Sequence, residues 1–166
     1  MNAFLSWLES TAFSTWMRES PSVFAFPAIL SCHTIGMGLV AGINAALALR
    51  VLGVASGVPI REMQRFMPVM WFGFWLNAIS GVALLITYPT KALTNPVFYL
   101  KLVLIALAVW LATLISRRLF RDSTSADAAT SGQVRFFAAA SVVSWAGAIT
   151  SGRLLAYTYT RLMQTF

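Results

Sequence analysis

Residues 102–115, LVLIALAVWLATLI, form an apolar run without a single charge, bounded by Lys101 and Arg117. With the residues just before it, the run reaches the roughly 20 residues that an α-helix needs to cross the hydrocarbon core of a bilayer. Because a bilayer offers no water to backbone N–H and C=O groups, such a segment is stable there only when its own helix satisfies them. The run therefore indicates an integral membrane protein and limits the remaining chain to folds that a bilayer accommodates.

The composition extends this conclusion to the whole chain. Hydrophobic residues make up 58% of the 166 positions and charged residues 10%, whereas about a quarter of a soluble domain is charged. Apolar runs predict four transmembrane helices at about 23–49, 66–88, 96–115 and 134–157. Residues 1–20 mix aromatic with polar side chains, which is typical of amphipathic helices in the membrane interface. We predict an all-α, single-domain membrane bundle over residues 1–166 with an N-terminal interfacial segment.

The net charge of +7 does not indicate a nucleic-acid partner, because the basic residues lie mainly in the connections between apolar runs. There they set the orientation of the protein in the lipid bilayer. One side carries seven arginines: Arg50, Arg61, Arg65, Arg117, Arg118, Arg121 and Arg135. The other side carries three basic residues outside the spans: Arg18, Lys91 and Arg161. The arginine-rich side is therefore predicted to be cytoplasmic in a bacterial inner membrane, with both termini periplasmic.

The only histidine, His33, lies inside the first span, in PAILSCHTIGMGLVAG. At a rise of 1.5 Å per residue it lies roughly 15 Å below the periplasmic start of that span, and Lys101 roughly 8 Å below the start of the third. Arg153 enters the same half from the end of the fourth span. The five carboxylates all lie outside the spans: Glu9, Glu19, Glu62, Asp122 and Asp127. Each cation must therefore snorkel to the interface, meet a lipid phosphate or bind an anionic cofactor.

Haem b would satisfy all three nitrogen-bearing side chains. Its iron takes a neutral imidazole as axial ligand, so His33 is the predicted metal ligand, and its propionates require cations, here Lys101 and Arg153. Gly36 in the first span and Asn77 in the second complete the predicted cofactor site. With one histidine in the chain, a bis-histidine haem within a single subunit is impossible.

Two other interpretations remain open. Copper is a minor alternative, since Cys32, His33 and Met37 are suitable ligand types, although neighbouring helical positions point about 100° apart. In the second interpretation the chain is a membrane scaffold or assembly subunit without a cofactor, and His33 is hydrogen-bonded to Asn77 or Thr150. Transport is disfavoured because no carboxylate lies within the membrane.

The segment PVFYLKLVLIAL, with Lys101, and the position of His33 resemble the small four-span, haem-b-binding membrane protoporphyrinogen IX oxidase of many bacteria. The resemblance implies that His33 and Lys101 are tied to haem. The oxidase usually has a second histidine two residues before the lysine, and this chain has Tyr99 there. The chain more distantly resembles the copper-resistance membrane-domain proteins, and also a widespread four-span bacterial membrane family from which no chemistry follows.

These observations predict a haem b-binding inner-membrane protein. Its role would be electron transfer, haem-linked oxidation or small-ligand binding at a periplasmic-side site, so that haem-dependent oxidoreductase activity stays open. A redox partner or quinone would exchange electrons with it. Gly38 and Gly42 form a small-residue spacing that lets another backbone come near, and exposed glycines and aromatic residues predict a homo-oligomer.

Overall fold

The structure, a computed structural model, describes residues 2–54, 56–120 and 131–163. Helices make up 87% of the residues in these three ranges, and no strand occurs there. The helices are α1 (Asn2–Glu9), α2 (Ala12–Glu19), α3 (Phe26–Val51), α4 (Ile60–Met63), α5 (Met67–Thr87), α6 (Pro89–Leu93), α7 (Pro96–Phe120) and α8 (Gly132–Met163). Four helical stretches are long and apolar enough to cross a membrane: Phe26–Val51, Ile60–Thr87, Pro96–Phe120 and Gly132–Leu155. The predicted all-α membrane bundle is confirmed.

The ends of the spans differ from the sequence prediction where local chemistry overrides hydropathy. Helix α3 begins at Phe26 rather than near residue 23, because Pro27 is tolerated only in the first turn of a helix. Helix α7 begins as predicted, with Asn95 Oδ1 accepting the Val97 N–H at 3.0 Å. It then continues past residue 115 to Phe120, beyond the length that the hydrocarbon core requires. Arg121, one of the arginines of the predicted cytoplasmic side, lies outside the described residues.

Three pairs of spans pack closely: α3 with α5, α3 with α8, and α7 with α8. Over the described residues α5 and α7 make no comparable contact, so the bundle is least closed on that side. One apolar cluster lies near α4 and another at the centre of the bundle, where Val40, Ala108 and Trp145 meet. We call the two ends of the bundle the α6 end and the α4 end, after the short helix that lies at each. Helix α3 runs from the α6 end to the α4 end.

The outer surface of the bundle is apolar. Large side chains of this surface are exposed in the isolated protein, among them Ile35, Phe72, Trp75, Ile79 and Val143. Exposure of these side chains to water would cost free energy. A bilayer removes this cost because lipid tails are as apolar as the side chains. The exposed surface therefore supports a lipid bilayer as the surroundings of the protein.

Helices α1 and α2 lie across the α6 end of the bundle. Arg18 donates to the Thr87 carbonyl oxygen at 3.2 Å and to the Glu9 carbonyl oxygen at 2.7 Å, and so joins α2 to the end of α5 and to α1. Met17 of α2 is buried, whereas Trp7 of α1 is 61% exposed. The predicted interfacial segment is therefore helical and attached to the bundle, with aromatic side chains on its outer face.

Candidate functional site

His33 and Asn77 form a reciprocal contact between α3 and α5. The His33 ring nitrogen Nδ1 lies 3.0 Å from the Asn77 backbone carbonyl oxygen. The Asn77 side-chain nitrogen Nδ2 donates to the His33 backbone carbonyl oxygen at 2.7 Å. Ser80, one turn further along α5, places its Oγ 3.3 Å from His33 Nδ1. The ring is therefore oriented by three polar groups of a single neighbouring helix.

These partners assign the proton of the neutral His33 ring. A carbonyl oxygen only accepts hydrogen bonds, so the contact of 3.0 Å with Asn77 assigns a proton to Nδ1. Asn77 Nδ2 also lies 3.3 Å from Nδ1, but it donates to the His33 carbonyl oxygen at the shorter distance of 2.7 Å. The Ser80 hydroxyl donates to the Leu76 carbonyl oxygen at 2.5 Å, which leaves its oxygen free to accept from Nδ1. In the neutral ring Nε2 then carries the lone pair, and it has no hydrogen-bond partner among the described residues. Metal-binding histidines commonly show this arrangement, with one nitrogen held by a carbonyl oxygen and the other free.

Glycines allow α3 and α5 to approach closely enough for these hydrogen bonds. A Cβ atom at Gly36 would lie 2.6 Å from the Asn77 backbone nitrogen and 2.8 Å from the Gly73 carbonyl oxygen. A Cβ atom at Gly81 would lie 3.1 Å from Cε1 of the His33 ring. The space beside Gly36, a residue of the predicted cofactor site, is thus occupied by the backbone of α5. The glycines predicted to bring a backbone near, Gly38 and Gly42, are exposed with no atom near their missing side chains.

Lys101 reaches the same half of the bundle from α7. Its side chain lies over Gly152 of α8, where a Cβ atom would come within 3.6 Å of Nζ. The side chain is half-buried, and no carboxylate of the described residues pairs with it. Lys101 therefore lies in the half of the bundle that holds His33, each of the two side chains retains an unused polar atom, and a common cofactor site for them stays a prediction.

Arg153 and Thr150 do not join this group. Arg153 follows Gly152 directly in α8, so its side chain leaves the helix about 100° away from the face that Lys101 covers, and it is exposed. Thr150 donates to the Ala146 carbonyl oxygen of its own helix at 2.8 Å. Of the two partners predicted for His33 in the scaffold interpretation, Asn77 is the one in contact.

The interior of the bundle has no room for a porphyrin at its central cavity. That cavity, lined by residues of all four long helices, including Asn44 and Trp145, has a volume of about 10 Å³, which suits a molecule the size of water. A macrocycle bound through His33 would therefore have to lie between helices rather than inside this cavity. The side between α5 and α7 is the least closed of the described bundle, although Ser116 of α7 donates to Met67 Sδ of α5 at 3.5 Å.

A multi-ligand metal cluster is absent from the described part of the chain, where no three His, Cys, Asp or Glu side chains come together. Cys32 is exposed on α3, next to the half-buried His33. A single axial histidine would not form such a cluster, so haem ligation is not tested by this result. The copper alternative has no third ligand within these residues.

Sequence reasoning named Asn77 as a partner of His33 but missed Gly73, Ser80 and Gly81 on the same helix. Gly73, Asn77, Ser80 and Gly81 are spaced by three or four residues, which places them on one helical face. Small and hydrogen-bonding residues at this spacing are typical of close helix contacts in membranes. This periodicity was the available signal for the partner face of His33.

Comparison with known protein families, with curated proteins and with solved structures finds no match to this chain.

Proposed function

We propose that the protein binds haem b in a bacterial inner membrane and serves electron transfer or haem-linked oxidation, with His33 as the axial ligand. The observation that carries this proposal is the state of the His33 ring. Its Nδ1 is engaged by the Asn77 carbonyl oxygen, and its Nε2 has no partner among the described residues. An imidazole held in this way offers one lone pair in a fixed direction, as a metal ligand must.

Lys101 supports the same proposal through its charge. A half-buried ammonium that no carboxylate of the described residues pairs with is costly in an apolar environment, and a haem propionate would relieve that cost. Arg153 is exposed, so we assign it a weaker contact at the rim of the site. Asn77 has a positioning role because it contacts His33, and Gly36 serves the packing of α3 against α5.

Haem would supply one-electron chemistry, and the chain itself would bind and orient it. With a single histidine per chain, the sixth coordination position is open, or it is filled by another group of the chain, a water or a second subunit. An open position favours small-ligand binding, whereas a second strong ligand favours electron transfer. A quinone or a protein redox partner would exchange the electrons, at a site on the periplasmic side.

A homo-oligomer belongs to the same proposal. Thr34, Gly38, Gly42 and Ala46 recur every four residues along α3 and are all exposed. Within the described ranges, no atom lies within 4 Å of the missing side chains of the two glycines. Small residues at this spacing allow two helices in a membrane to approach closely, which supports self-association through the outer face of α3.

A scaffold or assembly subunit without a cofactor is the second candidate. The reciprocal contact between His33 and Asn77 joins α3 to α5 through hydrogen bonds. Such contacts are useful in any membrane bundle, and this one explains a polar residue at His33 without metal chemistry. The scaffold candidate gives no role to Nε2 of His33 or to the Lys101 ammonium, and we therefore prefer haem binding.

The absorption spectrum of the purified protein, produced with ample haem, distinguishes the two candidates. We expect a Soret band that His33→Ala abolishes and that Cys32→Ser leaves unchanged, because Cys32 is exposed beside His33. A wild-type protein without a Soret band would favour the scaffold. A band that persists unchanged in His33→Ala would instead remove His33 as the ligand, and loss of the band in Cys32→Ser would point to a thiolate.

A further inference from the structure

Two buried polar atoms near the centre of the bundle lack hydrogen-bond partners. They are Asn44 Oδ1 on α3 and Trp145 Nε1 on α8, and they are the only such side-chain atoms in the described ranges. Asn44 is 1% exposed and Trp145 is 5% exposed, so neither atom reaches the surface. One is an acceptor and the other is a donor. Buried polar groups are normally satisfied by protein or by ordered water.

The two side chains are neighbours held by a common contact. Asn44 Nδ2 donates to Ser141 Oγ at 2.8 Å, and Ser141 lies one turn before Trp145 on α8. Asn44 and Trp145 also line the same central cavity, together with Val40, Met70 and Phe74 among others. Asn44 and Trp145 therefore lie on adjoining walls of one void, to which they present apolar atoms.

We propose that this central cavity is a binding site for one water molecule, which accepts from Trp145 Nε1 and donates to Asn44 Oδ1. Its volume of about 10 Å³ corresponds to a single water, since one water needs roughly 10–15 Å³ of such space. A water molecule can also make both hydrogen bonds, since its oxygen accepts from Trp145 Nε1 and one of its hydrogens is donated to Asn44 Oδ1. The ring of a quinone or of haem does not fit, so this site is distinct from the one at His33 and does not depend on it.

A small movement is part of the proposal, because neighbouring atoms cover the two unpaired atoms and the nearest walls of the cavity are apolar. Rotation of the Asn44 amide about χ2, a torsion with a broad energy minimum, turns Oδ1 towards the void. Because Nδ2 turns together with Oδ1, the bound water would join α3 to α8 in place of the direct contact between Asn44 and Ser141.

Nuclear magnetic resonance of the full-length protein in lipid nanodiscs, with ¹⁵N-labelled tryptophan, tests the site. Trp145→Phe assigns the Trp145 indole signal by its disappearance. We expect a nuclear Overhauser cross-peak between water and the Trp145 indole proton, and none for Trp110, which faces outward from α7 and is 57% exposed. Trp7 in α1 serves as the positive control. The proposal would be overturned if the Trp145 indole proton showed no water cross-peak while the Trp7 indole proton showed one.

Two variants test the bridge to Asn44. Asn44→Leu removes the acceptor and should abolish the Trp145 water cross-peak, whereas Ser141→Ala removes only the partner of Asn44 Nδ2 and should retain it. A cross-peak that persists in Asn44→Leu would show that Asn44 does not hold the water. If Asn44→Leu does not fold, the wild-type spectrum decides, since a direct bond between Asn44 and Trp145 would shift the indole signal without any water cross-peak.

Discussion

The Asn77 side chain donates to the His33 backbone carbonyl oxygen while the His33 side chain donates to the Asn77 backbone carbonyl oxygen, at 2.7 and 3.0 Å. Each residue thus uses its side chain on the other's backbone. This symmetry ties the rotation of α3 to that of α5, because a turn of either helix would break both bonds. It also fixes which ring nitrogen of His33 remains free.

Close packing of α3 on α5 should make Gly36 intolerant of a side chain. In Gly36→Ala the new Cβ would meet the backbone of α5 at 2.6 Å, which neither helix can relieve without moving. We expect a loss of about 1–3 kcal/mol in stability, the usual cost of overpacking, measured by denaturant unfolding in detergent. Gly38→Ala is the matched control, since its Cβ meets nothing within 4 Å, and equal losses in both variants would contradict the packing assigned to Gly36.

The charge of Lys101 should matter for haem retention more than for folding. Lys101→Met keeps an unbranched apolar stem over Gly152, so we expect the helices to stay folded, with haem retention weakened about tenfold, or about 1.4 kcal/mol. Lys101→Arg keeps the positive charge and should therefore retain haem almost as well as the wild type. Arg153→Gln, at an exposed position, should have the smaller effect. Haem transfer to apomyoglobin measures retention, and unchanged transfer in Lys101→Met would exclude a propionate contact.

Arg18 should control the attachment of α1 and α2 to the bundle. In Arg18→Ala the Thr87 and Glu9 carbonyl oxygens lose a charged donor, and hydrogen bonds to charged groups are each worth about 1.5–3 kcal/mol. Hydrogen exchange over residues 2–19 should therefore become faster. Arg65→Ala, which removes an exposed ion pair with Glu62, is the control and should change little. Unaltered exchange in Arg18→Ala would mean that buried Met17 suffices for attachment.

The predicted orientation is open to labelling with a membrane-impermeant maleimide. In a Cys32→Ser background, Thr94→Cys lies in the connection before α7 and Ser56→Cys in the connection after α3, and both positions are exposed. Intact cells should label the Thr94→Cys variant from the periplasm, and the Ser56→Cys variant only after permeabilisation. The parent without cysteine controls for background, and the reverse pattern would invert the proposed topology.

Much of the architecture follows from the sequence alone. Uncharged runs such as residues 102–115 require helices in a bilayer, because no other local structure satisfies their backbone there. Local signals also set some ends, as Asn95 does by capping α7. The residues of the cofactor site were harder to predict from the sequence. Gly36 and Arg153 were included because they have suitable residue types and lie in the predicted half of the bundle. Residue type and depth do not say which way a helix faces.

The sequence by itself determined that His33 and Lys101 lie in one half of a four-span bundle, since apolar length and helical rise are local properties. Only the tertiary structure decided that the Asn77 carbonyl oxygen holds Nδ1 of His33, that Gly36 is closed by α5 and that Arg153 faces outward. These features depend on the rotation of each helix about its axis. In a membrane, where apolar residues occupy every face, close packing and hydrogen bonds between helices set that rotation, and hydropathy does not encode it.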